Sequence, residues 1–199
     1  MAGHFETLRD GRHERTDRSR RAVVLAALEL IRETGEHPSG ESIAARAGVS
    51  RRTVFRLFSD IESLHVAVIE FQEAEVMRRF PAPLDVEAPL PARIAAVAKH
   101  RAGVYEFIMP IRRVAESSRD TSPSIARSVV EARNNFRVHL ELMFGDVLGA
   151  LERGPRDELA HALELVTCWA SWRTLRDDQH CSAARARRIV ETSLRRILA

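Results

Sequence analysis

Residues 40–58, GESIAARAGVSRRTVFRLF, leave this chain few choices. Ile43, Ala44, Ala47, Val49, Val54 and Leu57 are the apolar or small positions, and their spacing fits two short helices crossed at a corner on Gly48. Ala44, four residues before that glycine, is small enough to let the helices approach. Gly48 stands where the first helix must end in a left-handed backbone. Ser50 is placed to cap the second helix, its hydroxyl accepting from the amides of the first turn. Arg51, Arg52, Thr53 and Arg56 follow with no acid before Asp60, so this helix presents a cationic, donor-rich face.

A helix of this size fits the major groove of B-DNA, where first-turn residues reach base edges and their flanks hold phosphates. Arg51 and Arg52 suit bidentate donation to guanine, and Thr53 suits contact with a thymine methyl. Ser39, Ser50, Phe55 and Arg56 are expected to position the DNA backbone. The sequence leaves open whether Phe55 faces DNA or packs inward, and Ser39 serves equally as a helix cap.

The rest of the chain narrows the function. A formal charge of only +3 on 199 residues excludes a uniformly basic coat, so DNA affinity must come from local clusters. All 31 basic residues except Lys99 are arginine, including those on helices far from the corner. Cys168 and Cys181 form no CxxC pair, which fits a reducing compartment. No stretch approaches the roughly 20 apolar residues that span a bilayer. The opening MAGHFETLRDGRHER lacks an apolar signal core, so the expected location is cytoplasmic. The eight histidines are scattered without an HxxxH pair, and no glycine-rich loop or carboxylate pair offers catalysis. No enzyme activity, metal or cofactor is expected.

In order, residues 1–16 interleave arginines with acids and are expected to be disordered. A helix capped at Thr16 or Asp17 should run to Thr34. Asp60 should cap a fourth helix that reaches Phe80, closing a DNA-binding domain over 17–80. PAPLDVEAPLP, residues 81–91, reads as a linker. Residues 81–199 make a second domain, which from Ala92 onward reads as helix: about 91–108 stopping before Pro110, then 111–118, 124–148, 155–177 and 182–198. The fold class is therefore all-α.

Residues 21–71, RAVVLAALELIRETG followed by SIAARAGVSRRTVFRLFSDIESLHVAVIEF, resemble the N-terminal domain of the tetracycline-repressor (TetR) family of bacterial transcription regulators. AALELI, IAARAGVS, TVFRLF and ESL stand in the family's order and spacing. The chain departs from it at Phe55, where Tyr is common, and at Ile61, where Lys is frequent. The resemblance implies a C-terminal helical domain that dimerises and encloses a small-molecule effector. Tyr105, Phe107, Met109, Phe136, His139, Met143, Cys168, Trp169 and Trp172 are the expected lining of an apolar, aromatic effector cavity. Leu159, Leu163, Val166 and Ala170, with Val190, Leu194 and Ile197 of the last helix, are the expected dimer interface, as a four-helix bundle.

Dimerisation also follows from the DNA argument, because one recognition helix reads too few base pairs to be selective and a two-fold pair reads a palindrome. The expected protein is thus a homodimeric repressor released from a palindromic operator by an apolar effector. The alternatives are a thiol-based sensor using Cys168 and Cys181, the latter in the exposed-looking loop DDQHCS, and a small-molecule receptor or interaction module with weak DNA binding.

Overall fold

A computed structural model describes the backbone of residues 3–199 and the side chains of residues 14–199. Among the described residues there is no strand. The helices are α1 (Gly3–Thr34), α2 (Gly40–Ala47), α3 (Arg51–Leu57), α4 (Ile61–Arg79), α5 (Leu90–Ser117), α6 (Pro123–Met143), α7 (Gly145–Gly149), α8 (Arg153–Thr167), α9 (Trp169–Arg173) and α10 (Ala183–Ile197), with a π-helical turn at Thr174–Asp178. None is long and apolar enough to cross a membrane.

Four elements differ from the sequence expectation, the simplest being the helix expected over 124–148, which divides at Phe144 into α6 and α7. α1 continues back through Thr16 and Asp17 to Gly3, so neither residue is a cap and the expected coil over 1–16 is helical from residue 3, with 1 and 2 outside the described residues. The run contains no proline, and its Arg, Glu and Leu are good helix formers, so the helix packed through Val23 to Ile31 propagates backward. α5 passes through Pro110 instead of ending before it. Its buried residues on both sides, Tyr105 and Met109 before and Val114 after, hold the axis although proline supplies no amide hydrogen. The helix expected at 155–177 is broken at Cys168, whose backbone is extended at φ −75° and ψ 163°. The Thr167 hydroxyl donates to the Leu163 carbonyl at 2.7 Å, a side-chain bond that competes with the helical ladder.

The chain divides into two compact units, but not at the linker. One comprises Met1–Ala74 with Pro110–Arg127, the other Glu75–Met109 with Ser128–Ala199. α5 and α6 thus each contribute to both.

In the first unit Val23, Val24, Ala27 and Leu28 of α1 pack with Ile43 and Ala44 of α2, Val54 and Phe58 at α3, and Leu64 and Val68 of α4. Burial of each Val, Leu, Ile or Phe among them contributes roughly 1.5–3 kcal/mol. Arg46 forks onto Glu33 at 2.9 and 2.6 Å, which ties α2 to α1. The start of α6 is held by Glu62 of α4, whose carboxylate accepts from Ser124 N at 3.2 Å and Ser124 Oγ at 2.7 Å.

Those bonds, led by the Ser124 hydroxyl, hold the Glu62 carboxyl at about 2, below the ordinary 4.5. An acid depressed in the folded state contributes stability that is present above its unfolded pKa and is lost as pH falls toward the folded value. Acid titration followed by circular dichroism should therefore show Glu62's share of the loss between about 4.5 and 2. Glu62→Gln should flatten the slope in that window; an unchanged slope would count against the Ser124 bonds.

In the second unit α5 meets α8 through the Tyr105 hydroxyl, which donates to the Thr167 carbonyl at 2.9 Å. Arg93, at the start of α5, forks onto Asp146 with both contacts at 2.7 Å and also donates to the Met143 carbonyl. Glu106 accepts from Trp172 Nε1 at 3.0 Å and from Arg176 Nε at 2.7 Å, anchoring α9 and the π-helical turn on α5.

Candidate nucleic-acid interface and buried aromatic cluster

The corner forms by local chemistry. Ser39 caps α2 by accepting from Ser42 N, and Gly48 ends it at φ 67°. Ser50 caps α3 by accepting from Thr53 N at 3.1 Å, and the Ser50 and Thr53 hydroxyls lie 2.9 Å apart. Asp60 caps α4, its carboxylate accepting from Ser63 N at 2.7 Å. Val54 is buried while Arg51, Arg52, Phe55 and Arg56 are exposed, so one side of α3 grips the core and the other is bare.

The question about Phe55 is settled by its 55% exposure: the ring faces outward. Arg51 stands 5.4 Å from its centroid, and its edge lies close to Gly40 at the start of α2. Arg51, Arg52 and Arg56 make no ion pair with any described residue, so their charge is available to an outside anion. The nearby Arg20 and Arg46 are spent internally. Arg20 donates to the Leu57 carbonyl at 2.9 Å and covers the Phe58 ring at 4.3 Å, which fixes the end of α3. The exposed caps Ser39 and Ser50 flank the same surface. α3 therefore offers a positive first turn on a rigid seat, which suits phosphate and base-edge recognition.

In the second unit the expected effector residues are partly brought together. Tyr105 lies 5.6 Å from Phe136, 5.8 Å from Trp169 and 6.1 Å from Trp172, ring to ring. His139 joins this cluster through His100 at 5.5 Å. Phe107 instead stacks near Phe80 at 5.6 Å. Met109 and Met143 are core residues. Cys168 is half-buried, with Sγ 3.3 Å from the Leu165 carbonyl.

Two residues of the cluster escaped the sequence reading, His100 and Arg101. A usable signal was present, because Val97, Ala98, Val104 and Tyr105 surround Arg101 at helical spacing and place it on an apolar stripe. The first unit also holds a mostly apolar cavity of about 360 Å³, lined by Ile31, Leu64, Val68, Ile111 and Ile125 among others.

Two expectations are corrected by burial. Leu163, Val190 and Leu194, expected at a dimer interface, lie in the chain's own core and offer a partner no surface. Leu159, Val166 and Ile197 pack against that core, and only Ala170 is exposed. Cys181, expected in an exposed loop, is 5% exposed, because Cys181 N donates to the Leu175 carbonyl and draws the residue inward.

Fold and surface together define a helix-turn-helix whose second helix presents an exposed, cationic first turn. Residues 23–68 match the family model of the bacterial regulatory proteins of the tetR family. A solved structure assigned to the TetR-family transcriptional regulators, from Mesorhizobium loti MAFF303099, aligns with a TM-score of 0.69 at 21% identity, over 92% of this chain and 96% of that one. A TetR-family member from Streptomyces coelicolor A3 aligns with a TM-score of 0.63 at 18% identity, over 88% and 97%. At these identities the likeness establishes the fold of nearly the whole chain. No curated protein matches it.

Proposed function

We propose that the protein is a homodimeric transcriptional repressor that binds a palindromic operator and leaves it when a small molecule occupies the C-terminal helices. The observation that carries the reading is the first turn of α3, where Arg51 and Arg52 stand exposed and unpaired beside the capped N-terminus formed by Ser50. Base contacts fall to Arg51, Arg52 and Thr53, and backbone contacts to Ser39, Ser50, Phe55 and Arg56. Phe55 presents a ring to the sugar-phosphate backbone and gives no phenolic hydroxyl.

The effector part of the reading is supported by α5 and α6, which carry Tyr105, Phe136 and His139 and also contribute to the DNA-binding unit. Selection from a random duplex pool should recover an inverted repeat with half-sites about one helical turn apart. Recovery of no sequence, or of a single half-site, contradicts the reading.

For the dimer, the outer face of α8 is the better surface than the buried stripe. Leu165 is 68% exposed there, with the half-buried Ala162 one turn before it. Leu165→Glu should weaken dimerisation by roughly tenfold or more by placing a charge in an apolar contact, measured by sedimentation equilibrium. Unchanged dimerisation would move the interface elsewhere.

A further inference from the structure

The aromatic cluster of the second unit contains a cation that pairs with no carboxylate among the described residues. Arg101 is 1% exposed. Its Nη2 donates to the Phe136 carbonyl at 2.8 Å, and its guanidinium lies 3.8 Å from the Phe136 ring centroid. Its Nε and Nη1 are buried without a partner. So are three nitrogens on neighbouring rings, His100 Nδ1, His139 Nδ1 and Trp169 Nε1.

The two histidines are fixed in one tautomer. His100 Nε2 meets the Phe80 carbonyl at 3.0 Å and His139 Nε2 meets the Pro83 carbonyl at 2.7 Å. A carbonyl only accepts, so each ring carries its proton on Nε2 and leaves Nδ1 as an acceptor. Burial, reinforced by the Arg101 charge, pushes His100 down to about 4, and burial likewise lowers His139, so neither adds charge at neutral pH. Burial lowers Arg101 only to about 10, and it stays a cation.

A buried, uncompensated guanidinium lowers stability, and an apolar side chain of the same size would fill the space without that cost. Stability therefore does not account for Arg101, whereas an incoming anion does.

We propose that Arg101 is the anion-recognising group of the effector site and that the effector is a carboxylic acid with an apolar body. The carboxylate accepts a single charge-assisted bond from one of the free donors, Nε or Nη1, which point to different edges of the guanidinium. The body packs on Tyr105, Phe136 and Trp169, and Trp169 Nε1 adds a further donor. This deepens the effector reading, on which its regulatory consequence rests, and it narrows the apolar effector expected from sequence to an apolar acid.

The segment that follows Phe80, residues 81–89, has no helix, and its start is tied to the two histidines by the Phe80 and Pro83 carbonyls. Phe80 is seated on Gly103, where an added Cβ would lie 2.9 Å from its ring.

Trp169 and Trp172 are the chain's only tryptophans, so intrinsic emission reports on this cluster. Hexanoate, octanoate, decanoate and phenylacetate should be titrated into the full chain beside their neutral amides, with Tm read in parallel. At least one acid is expected to shift emission and raise Tm, and to bind roughly tenfold or more tightly than its amide. Arg101→Met should bring acid and amide to equal affinity, and Arg101→Lys should keep part of the preference, which decides the matter if Arg101→Met does not fold.

Binding of no acid, equal binding of acid and amide by the wild type, or a preference that survives loss of the guanidinium charge overturns the proposal. The regulatory reading fails separately. An acid that binds but leaves DNA affinity unchanged keeps the anion site and removes the effector role. DNA released by a neutral molecule, with no acid bound, keeps the regulator and removes the anion site.

Discussion

Replacing Arg51 and Arg52 together by alanine is expected to abolish selective DNA binding without unfolding the protein. Both side chains are exposed and form no ion pair with a described residue, so the folded state loses little when they are removed. Each bidentate contact to a base contributes about 1–3 kcal/mol of discrimination. The pair together would then be worth about 2–6 kcal/mol if the two act independently, enough to bring an operator down to the level of random DNA. Electrophoretic mobility shifts with operator and scrambled duplexes check this, with Tm as the folding control. If affinity for both duplexes fell equally, the two arginines would be phosphate contacts and selectivity would lie in Thr53 or elsewhere.

Phe58→Ala is expected to do the reverse, destroying the seat of α3 instead of its outer face. Phe58 is 3% exposed and lies beneath the Arg20 guanidinium, which also holds the Leu57 carbonyl. Truncating a fully buried phenylalanine costs about 3–5 kcal/mol, a large part of the whole stability of a small domain. Thermal and urea unfolding measure the loss directly. The control is Phe55→Ala three residues earlier, where the ring is exposed: stability should change by no more than about 0.5 kcal/mol while DNA affinity falls. Equal stability losses at the two positions would contradict the orientation of α3.

These two phenylalanines show how far the sequence could be read. The corner was legible because its determinants are local. Gly48 adopts the left-handed backbone, and Ser50 and Asp60 cap the helices that follow them, each within a few residues of its partner. The orientation of Phe55 was not legible, since it depends on which side of α3 meets α1 and α4. The continuation of α5 through Pro110 was hidden for a similar reason, because burial on both sides overrides a local breaker. The break at Cys168 carries no glycine or proline to announce it.

The aromatic cluster was legible in outline, as Tyr105, Phe136, His139, Trp169 and Trp172 have the spacing and character of a lined interior. Its polar end was not, because Arg101 resembles the many solvated arginines until its apolar neighbours at helical spacing are considered together. The amphipathic stripes of α8 and α10 misled about the dimer. Periodicity shows that a face must be covered, and here the same chain covers it at Leu163, Val190 and Leu194.

The most direct test of a sequence-selective DNA-binding protein is its equilibrium affinity for the selected inverted repeat and for a scrambled duplex, each at two salt concentrations. The account predicts a preference of roughly 10³-fold or more for the repeat, with affinity for both duplexes falling steeply as salt rises because phosphate contacts release counterions. Equal, weak binding to the two duplexes at both salt concentrations would contradict it.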